Sequence, residues 1–175
     1  MTVLLNAGDF ICRAMKLTDL AAVIRIQAEA YIDEILETDD VICARFQQAP
    51  NTSWVVEHTG IVYGYLVGYQ SLLGEVTPWG SEFMHKPEAT ALYLHDLAIS
   101  KSASGFGVGP MLVNHALAEA RQRELRDAAL VSVQNSESFW QKLGFNECVQ
   151  LDHIQQSNLA SYSGPAIYMT RDLVS

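Results

Sequence analysis

Hydrophobic positions recur along this chain with two periods, and each period predicts one kind of element. Apolar residues three or four positions apart, as in LTDLAAVIRIQAEAY with Thr18 or Asp19 as its N-cap, predict amphipathic helices. Compact β-rich runs predict strands, and Thr59 and Gly60 between TSWVVEH and IVYGYLVGYQSLL predict a hairpin. The remaining predicted strands are FICRAM, ALYLHDLAIS, AALVSVQ, FNECVQL and GPAIYMTRDL, and the remaining predicted helices are DDVICARFQQA, a segment from Pro110 to about Arg126, and SESFWQKLG.

The order of these elements predicts a mixed α/β fold, with strand, loop, helix and strand in succession at its centre. The segment GEVTPWGSEFMHKPEA shows no period and contains Gly and Pro, so we expect a long surface loop there. A length of 175 residues with 49% hydrophobic residues is sufficient for one core. We therefore expect a single domain over residues 1–175.

Charge and cysteine usage exclude several classes of protein. A formal net charge of −9 argues against a nucleic-acid partner, because phosphate binding needs clustered Lys and Arg. The N-terminal sequence lacks the pattern of a signal peptide, and no stretch approaches the ~20 apolar residues of a membrane span. Cys12, Cys43 and Cys148 are odd in number and widely spaced, which favours reduced thiols over disulfides or zinc. We expect a cytoplasmic protein with no membrane partner and no metal.

The stretch SGFGVGPML lies between a predicted strand and a predicted helix. Such a loop exposes backbone N–H groups beside the positive end of a helix, which is an anion-binding arrangement. It is not a Walker A loop, because no Gly-Lys-Ser/Thr follows. It is not a dinucleotide fingerprint either, because Pro110 stands where the third glycine would fall. From spacing alone, a phosphate-binding loop and a plain strand-to-helix turn both remain open.

Three stretches together resemble the GNAT superfamily of N-acetyltransferases. LHDLAISKSASGFGVGPMLV is similar to its cofactor-binding segment, SESFWQKLGF to its aromatic-x-Lys-x-Gly-Phe helix, and GPAIYMTRDL to its closing strand. The resemblance is good over about residues 90 to 173, and the first half matches mainly in element order. It implies a single-domain fold in which a central mixed, mostly antiparallel sheet is flanked by helices.

The resemblance also implies acetyl-CoA as the co-substrate. The end of the ALYLHDLAIS strand would pair through its main chain with the pantetheine arm, and the glycine loop would bind the pyrophosphate through backbone N–H groups. The implied cofactor-binding residues are Leu97, Ala98, Ile99, Ser104, Gly105, Phe106, Gly107, Val108, Gly109 and Trp140.

Two positions depart from the family pattern. Ser104 replaces an Arg or Gln, which removes a charged hydrogen bond worth about 1.5–3 kcal/mol unless Lys101 supplies it. Trp140 replaces the Tyr that often reprotonates the coenzyme A thiolate, and an indole has no proton to give at neutral pH. The proton would then come from water, the product ammonium, or a group such as Tyr162 or Tyr168.

Candidate catalytic residues lie in the segment YLHD. Strand alternation places Tyr93 and His95 on one face and Asp96 on the other. The segment is similar to the His-x-His strand of arylalkylamine N-acetyltransferases, and a histidine is suited to accept a proton through water. We expect His95 to be the base, with Asp96 as the rival and Tyr93 beside them. Residues expected to border the acceptor are Glu34, Glu75, Glu82, Trp79, Phe83 and Tyr31.

The sequence thus predicts an acetyl-CoA-dependent N-acetyltransferase that acts by direct transfer in a ternary complex. Its expected partner is a small-molecule or amino-acid-like primary amine, and because dimers are common in this fold, a homodimer is one expectation for its assembly. The alternative is an acyl-CoA-binding module of the same fold with weak catalysis, in keeping with Ser104 and Trp140.

Overall fold

Seven strands form one sheet in this computed structural model, which describes residues 7–31, 36–83 and 86–174. The spatial order of the strands is β1-β2-β3-β4-β5-β7-β6, and β4 and β5 run parallel while the other neighbours run antiparallel. The predicted mixed, mostly antiparallel sheet is therefore confirmed. The strands are β1 (Ile11–Ala14), β2 (Ser53–His58), β3 (Ile61–Ser71), β4 (Ala91–Ile99), β5 (Asp127–Ser132), β6 (Asn146–Glu147) and β7 (Ile167–Asp172).

Five α-helices accompany the sheet in the described part of the chain. They are α1 (Leu20–Ala30), α2 (Asp39–Gln48), α3 (Val108–Gln122), α4 (Glu137–Lys142) and α5 (His153–Leu159). None of them is long and apolar enough to cross a membrane. The helical period predicts α1 correctly, because Leu20, Val23 and Ile26 recur on one face and are buried.

Asp19 precedes α1, but its side chain does not cap that helix. Its carboxylate instead accepts the Lys16 N–H at 2.7 Å and pairs with both terminal nitrogens of Arg13 at 2.7 and 2.9 Å. The guanidinium of Arg13 holds the pKa of the Asp19 carboxyl below its usual range. Asp19, one of the two predicted N-cap residues, therefore forms an ion pair with Arg13 of β1 instead of capping α1.

The predicted hairpin is confirmed between β2 and β3. Thr59 and Gly60 have φ angles of 49° and 80°, which are the left-handed values that a two-residue type I′ turn requires. The strands then pair from His58 with Ile61 to Ser53 with Val67, with a register shift beside Val56.

The described chain divides into two compact units. The first comprises Met1–Val67 and Asp96–Ala116, and the second comprises Gly68–His95 and Leu117–Ser175. In the first unit, the core contains apolar residues of α1, β2 and the first turns of α3. In the second, it contains apolar residues of β4, β5 and β7. The largest buried side chains of the first unit include Ile26, Leu66 and Leu112, and those of the second include Tyr93, Leu130, Phe145, Tyr168 and Met169.

Three predicted boundaries were wrong. Helix α3 begins at Val108 rather than at Pro110, and it ends at Gln122 rather than near Arg126. Pro110 is tolerated as its third residue, because N–H groups in the first turn have no partner within the helix. The predicted strand FNECVQL is reduced to the two residues of β6.

Helix α5 was not predicted. It begins after Asp152, whose Oδ1 accepts the N–H of Gln155 at 2.8 Å. None of its seven residues is buried, so the hydrophobic stripe that normally indicates a helix is missing.

Candidate active site

The glycine loop follows β4 through a short 3-10 helix, Lys101–Ala103. Gly105 and Gly107 have φ angles of +85° and +75°, and a Cβ atom at either position would meet no atom within 4 Å. The first helical hydrogen bond joins the Met111 N–H to the Gly107 carbonyl at 3.2 Å, so the preceding N–H groups of α3 lie outside the helical ladder. An open loop beside a helix N-terminus fits a phosphate group.

Two N–H groups of this loop already have partners within it. The Ser104 N–H donates to the Lys101 carbonyl at 3.3 Å, and the Phe106 N–H donates to the Ala103 carbonyl at 3.4 Å. The ring of Phe106 lies 6.3 Å from that of Phe10. The N–H groups of Gly107, Val108 and Gly109 take no part in these two bonds, and the binding of an anion by residues 106–109 stays a prediction.

Glu29 of α1 holds the start of the loop in place. Its Oε2 accepts the Ser100 hydroxyl at 2.8 Å and the Lys101 N–H at 3.2 Å, and its Oε1 pairs with Arg25. The Ser100 hydroxyl lowers the pKa of the Glu29 carboxyl, and the Lys101 N–H and Arg25 add to this effect. No local sequence pattern indicates these bonds, because Glu29 is 71 and 72 residues from Ser100 and Lys101 along the chain.

The end of β4 presents alternating main-chain groups. The Ala98 carbonyl faces β3, since it would lie 3.1 Å from a Cβ on Gly64, whereas the Leu97 carbonyl accepts the Tyr31 hydroxyl at 2.8 Å. Successive residues of a strand point their main-chain groups to opposite sides, so Leu97 and Ile99 point away from β3. Ala98 was predicted to pair with pantetheine, but its carbonyl is directed into the sheet.

Pairing between β4 and β5 also stops early. It ends at Leu94 and Leu130, although β4 continues to Ile99. The Leu97 N–H and the main-chain groups of Ile99 therefore lie beyond the paired part of β4, whereas the Leu97 carbonyl accepts the Tyr31 hydroxyl. Pairing of this strand end with pantetheine stays a prediction.

Asp96 lies in a hydrogen-bonded niche that two tyrosine hydroxyls form. Its Oδ1 is 2.6 Å from the Tyr31 hydroxyl, and its Oδ2 accepts the Tyr65 hydroxyl at 2.8 Å. Burial raises the pKa of the Asp96 carboxyl despite these hydroxyls and Arg45, which lower it. Tyr31, predicted to border the acceptor, is thus a partner of Asp96, and both carboxyl oxygens of this rival base are occupied.

His95 and Tyr93 join an aromatic group. The His95 ring meets the Phe83 ring edge-on at 5.0 Å, and Phe83 stacks on Tyr69 at 4.3 Å. Tyr69 also stacks on Tyr93 at 5.0 Å. Tyr93 is 1% exposed. Its burial and the neighbouring tyrosines raise its pKa well above the usual value, so this phenol keeps its proton at neutral pH.

A cavity of about 530 Å³ lies in the second unit beside these aromatic rings. Tyr69 and Phe83 supply its aromatic surface, and Glu75 and Glu82 supply carboxylates, of which Glu75 is paired with Lys86. The other lining residues are Ser71, Val76, Thr77, Pro78, Ser81, Ile154, Gln155 and Asn158.

The predicted surface loop is tied to α5 and to the residues that follow it. The Val76 N–H donates to Gln155 Oε1 at 2.7 Å, and the Val76 carbonyl accepts Asn158 Nδ2 at 2.9 Å. The Trp79 N–H donates to Ser161 Oγ at 2.8 Å. These bonds hold the wall of the cavity in a defined shape. Glu34, also predicted near the acceptor, lies outside the described residues.

Tyr162 and Tyr168, named above as candidate proton donors to the sulfur, both form hydrogen bonds with this loop through their hydroxyls. The Tyr162 hydroxyl donates to the Thr77 carbonyl at 2.8 Å, and its ring lies 5.8 Å from that of Trp79. The Tyr168 hydroxyl accepts the Gly74 N–H at 3.0 Å, and burial raises its pKa to about 12.

Trp140 is a core residue of the second unit. It is 8% exposed, and its ring packs edge-on against Phe139 and Phe145. Its Nε1 donates to Ser136 Oγ at 3.2 Å. Its predicted contact with the cofactor stays a prediction.

The described residues contain no group of three or more His, Cys, Asp or Glu side chains placed to hold a metal ion. A search of curated proteins finds no match. Several solved structures share the fold at low identity, so the fold alone is what they establish.

Ard1 from Thermoplasma volcanium is 20% identical, with a TM-score of 0.72 over 95% of this chain and 99% of that one. GphF GNAT-like decarboxylase in complex with isobutyryl-CoA is 17% identical, with a TM-score of 0.75 over 93% and 99%. The ribosomal-protein-S18-alanine N-acetyltransferase from Escherichia coli is 16% identical, with a TM-score of 0.67 over 95% and 95%. The sequence model of the acetyltransferase (GNAT) family matches residues 20–145, so this chain belongs to the GNAT acetyltransferase family.

Proposed function

We propose that this protein is an acetyl-CoA-dependent N-acetyltransferase whose glycine loop binds the pyrophosphate of the co-substrate. The observation that carries the proposal is the open, left-handed conformation of Gly105 and Gly107 directly before α3. A side chain there would occupy the space in front of the helix N-terminus, where the field of the helix favours an anion. The GphF structure in complex with isobutyryl-CoA supports the same class of ligand for this fold.

The proposed acceptor is a primary amine of a small or amino-acid-like molecule that enters the cavity beside α5. A volume of about 530 Å³ lies within the range of small-molecule sites. Lys86 neutralises Glu75, so the carboxylate of Glu82 gives the cavity lining a net negative charge, which attracts a cation. The ring of Phe83 adds a cation–π surface for an ammonium group.

In the proposed reaction, the amine attacks the thioester directly. His95, whose ring meets Phe83 of the cavity lining, accepts the amine proton through water. The Leu97 N–H, which points away from β3, donates to the carbonyl oxygen as negative charge develops. Holding the two reactants in one orientation contributes up to about 7–11 kcal/mol of the rate enhancement.

Calorimetric titration with acetyl-CoA tests the binding site, with Gly107→Ala as the variant and Gly60→Ala as its matched control. Both glycines have φ near +80° and open space at Cβ, so both substitutions impose about the same backbone strain of 1–2 kcal/mol. Only Gly107 lies in the proposed loop. We expect micromolar binding by the wild type, a loss of about tenfold or more in Gly107→Ala, and unchanged affinity in Gly60→Ala.

Absence of binding to the wild type, or equal effects of the two substitutions, would contradict the proposal. The alternative of a weak acyl-CoA-binding module is favoured by Trp140, which supplies no proton. A thiol-release assay with a panel of amines separates the two, since a binding module takes up acetyl-CoA without amine-dependent release. In the enzyme, Glu82→Gln raises the KM for the amine, whereas Glu88→Gln, an exposed control outside the cavity lining, does not.

A further inference from the structure

The Tyr31 hydroxyl carries one proton but lies between two acceptors. Its oxygen is 2.6 Å from Asp96 Oδ1 and 2.8 Å from the Leu97 carbonyl oxygen. If the carboxyl were ionised, one of these short contacts would join two oxygen atoms with no proton between them, and such a pair repels.

A proton on Asp96 Oδ1 satisfies every atom of the group. Asp96 then donates to the Tyr31 oxygen, Tyr31 donates to the Leu97 carbonyl, and Tyr65 donates to Asp96 Oδ2. No acceptor is left facing another acceptor, which is the condition that buried polar groups must meet.

The charged groups around this niche agree with a neutral Asp96. Burial is the largest influence on the Asp96 carboxyl and raises its pKa, whereas the two tyrosine hydroxyls and Arg45 of α2 lower it by less. Arg45 is itself paired with Glu37, which offsets the positive charge that would otherwise favour ionisation of Asp96.

We propose that Asp96 is a carboxylic acid in the resting protein and that Tyr31, reloaded by Asp96, donates the proton that the departing coenzyme A sulfur needs. The inference rests on the proposed function, in which the Leu97 main chain positions the thioester. The Tyr31 hydroxyl contacts this same residue, because it donates to the Leu97 carbonyl at 2.8 Å. It takes the role that a tyrosine in α4 would have and that Trp140 cannot perform.

The proton balance is complete. The amine nitrogen forms a bond to the carbonyl carbon, the carbon–sulfur bond breaks, and the sulfur keeps the electron pair. Tyr31 gives its hydroxyl proton to the sulfur, and the Asp96 carboxyl proton passes to the Tyr31 oxygen. Asp96 is left as a carboxylate. His95 has taken the proton of the acceptor amine and returns it to solvent, and Asp96 takes up one proton from solvent before the next turnover.

Infrared spectroscopy of the ligand-free protein tests the protonation state of Asp96 without any activity. We expect a carboxylic-acid C=O band near neutral pH that is absent in Asp96→Asn and retained in Asp127→Asn. Asp127 is the matched control, because burial raises the pKa of this carboxyl too but no Tyr31 or Tyr65 hydroxyl bonds to it.

Kinetics test the donor. Tyr31→Phe and Tyr65→Phe each remove one hydroxyl from the same carboxyl, and Tyr31→Phe also removes the bond to the Leu97 carbonyl. A positioning role of Tyr31 therefore predicts weaker binding of acetyl-CoA, whereas a proton donor predicts a loss of kcat at unchanged Kd. We expect Tyr31→Phe to lower kcat by about 10²-fold with an unchanged Kd for acetyl-CoA, and Tyr65→Phe to lower kcat far less. The wild-type kcat falls as pH rises and Asp96 loses its proton, and this alkaline limb disappears in Asp96→Asn.

Four results decide the inference. Absence of the carboxylic-acid band from the wild type, or equal losses of kcat in the two tyrosine variants, overturns the relay and leaves the proposed function standing. Failure of the wild type to bind acetyl-CoA overturns both. A band specific to Asp96 together with a selective loss in Tyr31→Phe supports the relay.

Discussion

Replacing Gly64 with alanine would place a methyl group where β3 and β4 leave no room. A Cβ built at Gly64 lies 2.4 Å from Ile99 Cδ1, 3.1 Å from the Ala98 carbonyl oxygen and 3.1 Å from Val56 Cγ1. The shortest contact must be relieved by movement of Ile99, and the carbonyl contact limits how far the strand can follow. Overpacking of this kind costs about 1–3 kcal/mol, so we expect Gly64→Ala to lower Tm by about 2–12 °C.

A double-mutant cycle identifies the cause. Ile99→Val removes the Cδ1 atom that meets the new methyl group, and alone it costs about 0.5–1.5 kcal/mol. If that contact is the source of strain, Gly64→Ala with Ile99→Val is more stable than the sum of the single changes by at least about 0.5 kcal/mol. Free energies of unfolding from urea titration supply all four values.

Gly8→Ala is the matched control, since a Cβ at Gly8 meets no atom within 4 Å. It should change the free energy of unfolding by no more than about 0.5 kcal/mol. Additivity of the two single changes within about 0.3 kcal/mol would refute the steric argument. Because Ile99 belongs to the strand end proposed to pair with pantetheine, Gly64→Ala should also weaken acetyl-CoA binding, and Ile99→Val should partly restore it.

Three other changes have defined outcomes. Arg13 lowers the pKa of Asp19, so this carboxylate adds stability above its unfolded pKa of about 3.9 and loses that contribution as pH falls through the lower folded value. The difference in Tm between the wild type and Asp19→Asn should therefore become smaller in acid. A difference that does not change with pH contradicts this. Arg45→Met leaves Glu37 buried without its cation and should cost about 3–5 kcal/mol in urea unfolding, which Glu37→Gln on the same background partly recovers. Asn158→Ala should speed amide exchange in the loop around residue 76 with little change in Tm, and unchanged exchange would show that this bond does not hold the loop.

Local signals predicted most of the sheet, because its strands are short apolar runs bounded by turn residues. The Thr59 and Gly60 pair identified the β2–β3 hairpin, since few residue pairs adopt two successive positive φ angles. Helix α5 escaped the same reasoning, because Ile154 is 69% exposed and the helix buries no residue. The signal that could have found it is the capping pair, Asp152 followed three positions later by Gln155.

The candidate site also contains one part that the sequence predicts and one part that it does not. The glycines of the loop could be predicted, because positive φ is encoded at single positions. The groups around Asp96 could not, because Tyr31 and Tyr65 are 65 and 31 residues away along the chain. Nothing in a periodic pattern specifies which tyrosines converge on one carboxyl, since that depends on how α1 and β3 pack in the first unit.

Trp140 stands where the family pattern has a tyrosine, so this position has no phenol to give a proton to the departing sulfur. A proton donor must hold its proton at neutral pH and must recover it after each turnover. Trp140 holds its proton but cannot give it to the sulfur, since an indole does not ionise in this range and its Nε1 is bonded to Ser136. Tyr31 meets the first because its pKa is raised, and the short contact with Asp96 meets the second, because a neutral carboxyl can return the proton. In the proposed relay, the Tyr31 hydroxyl therefore gives the proton and Asp96 is the second acid that restores it.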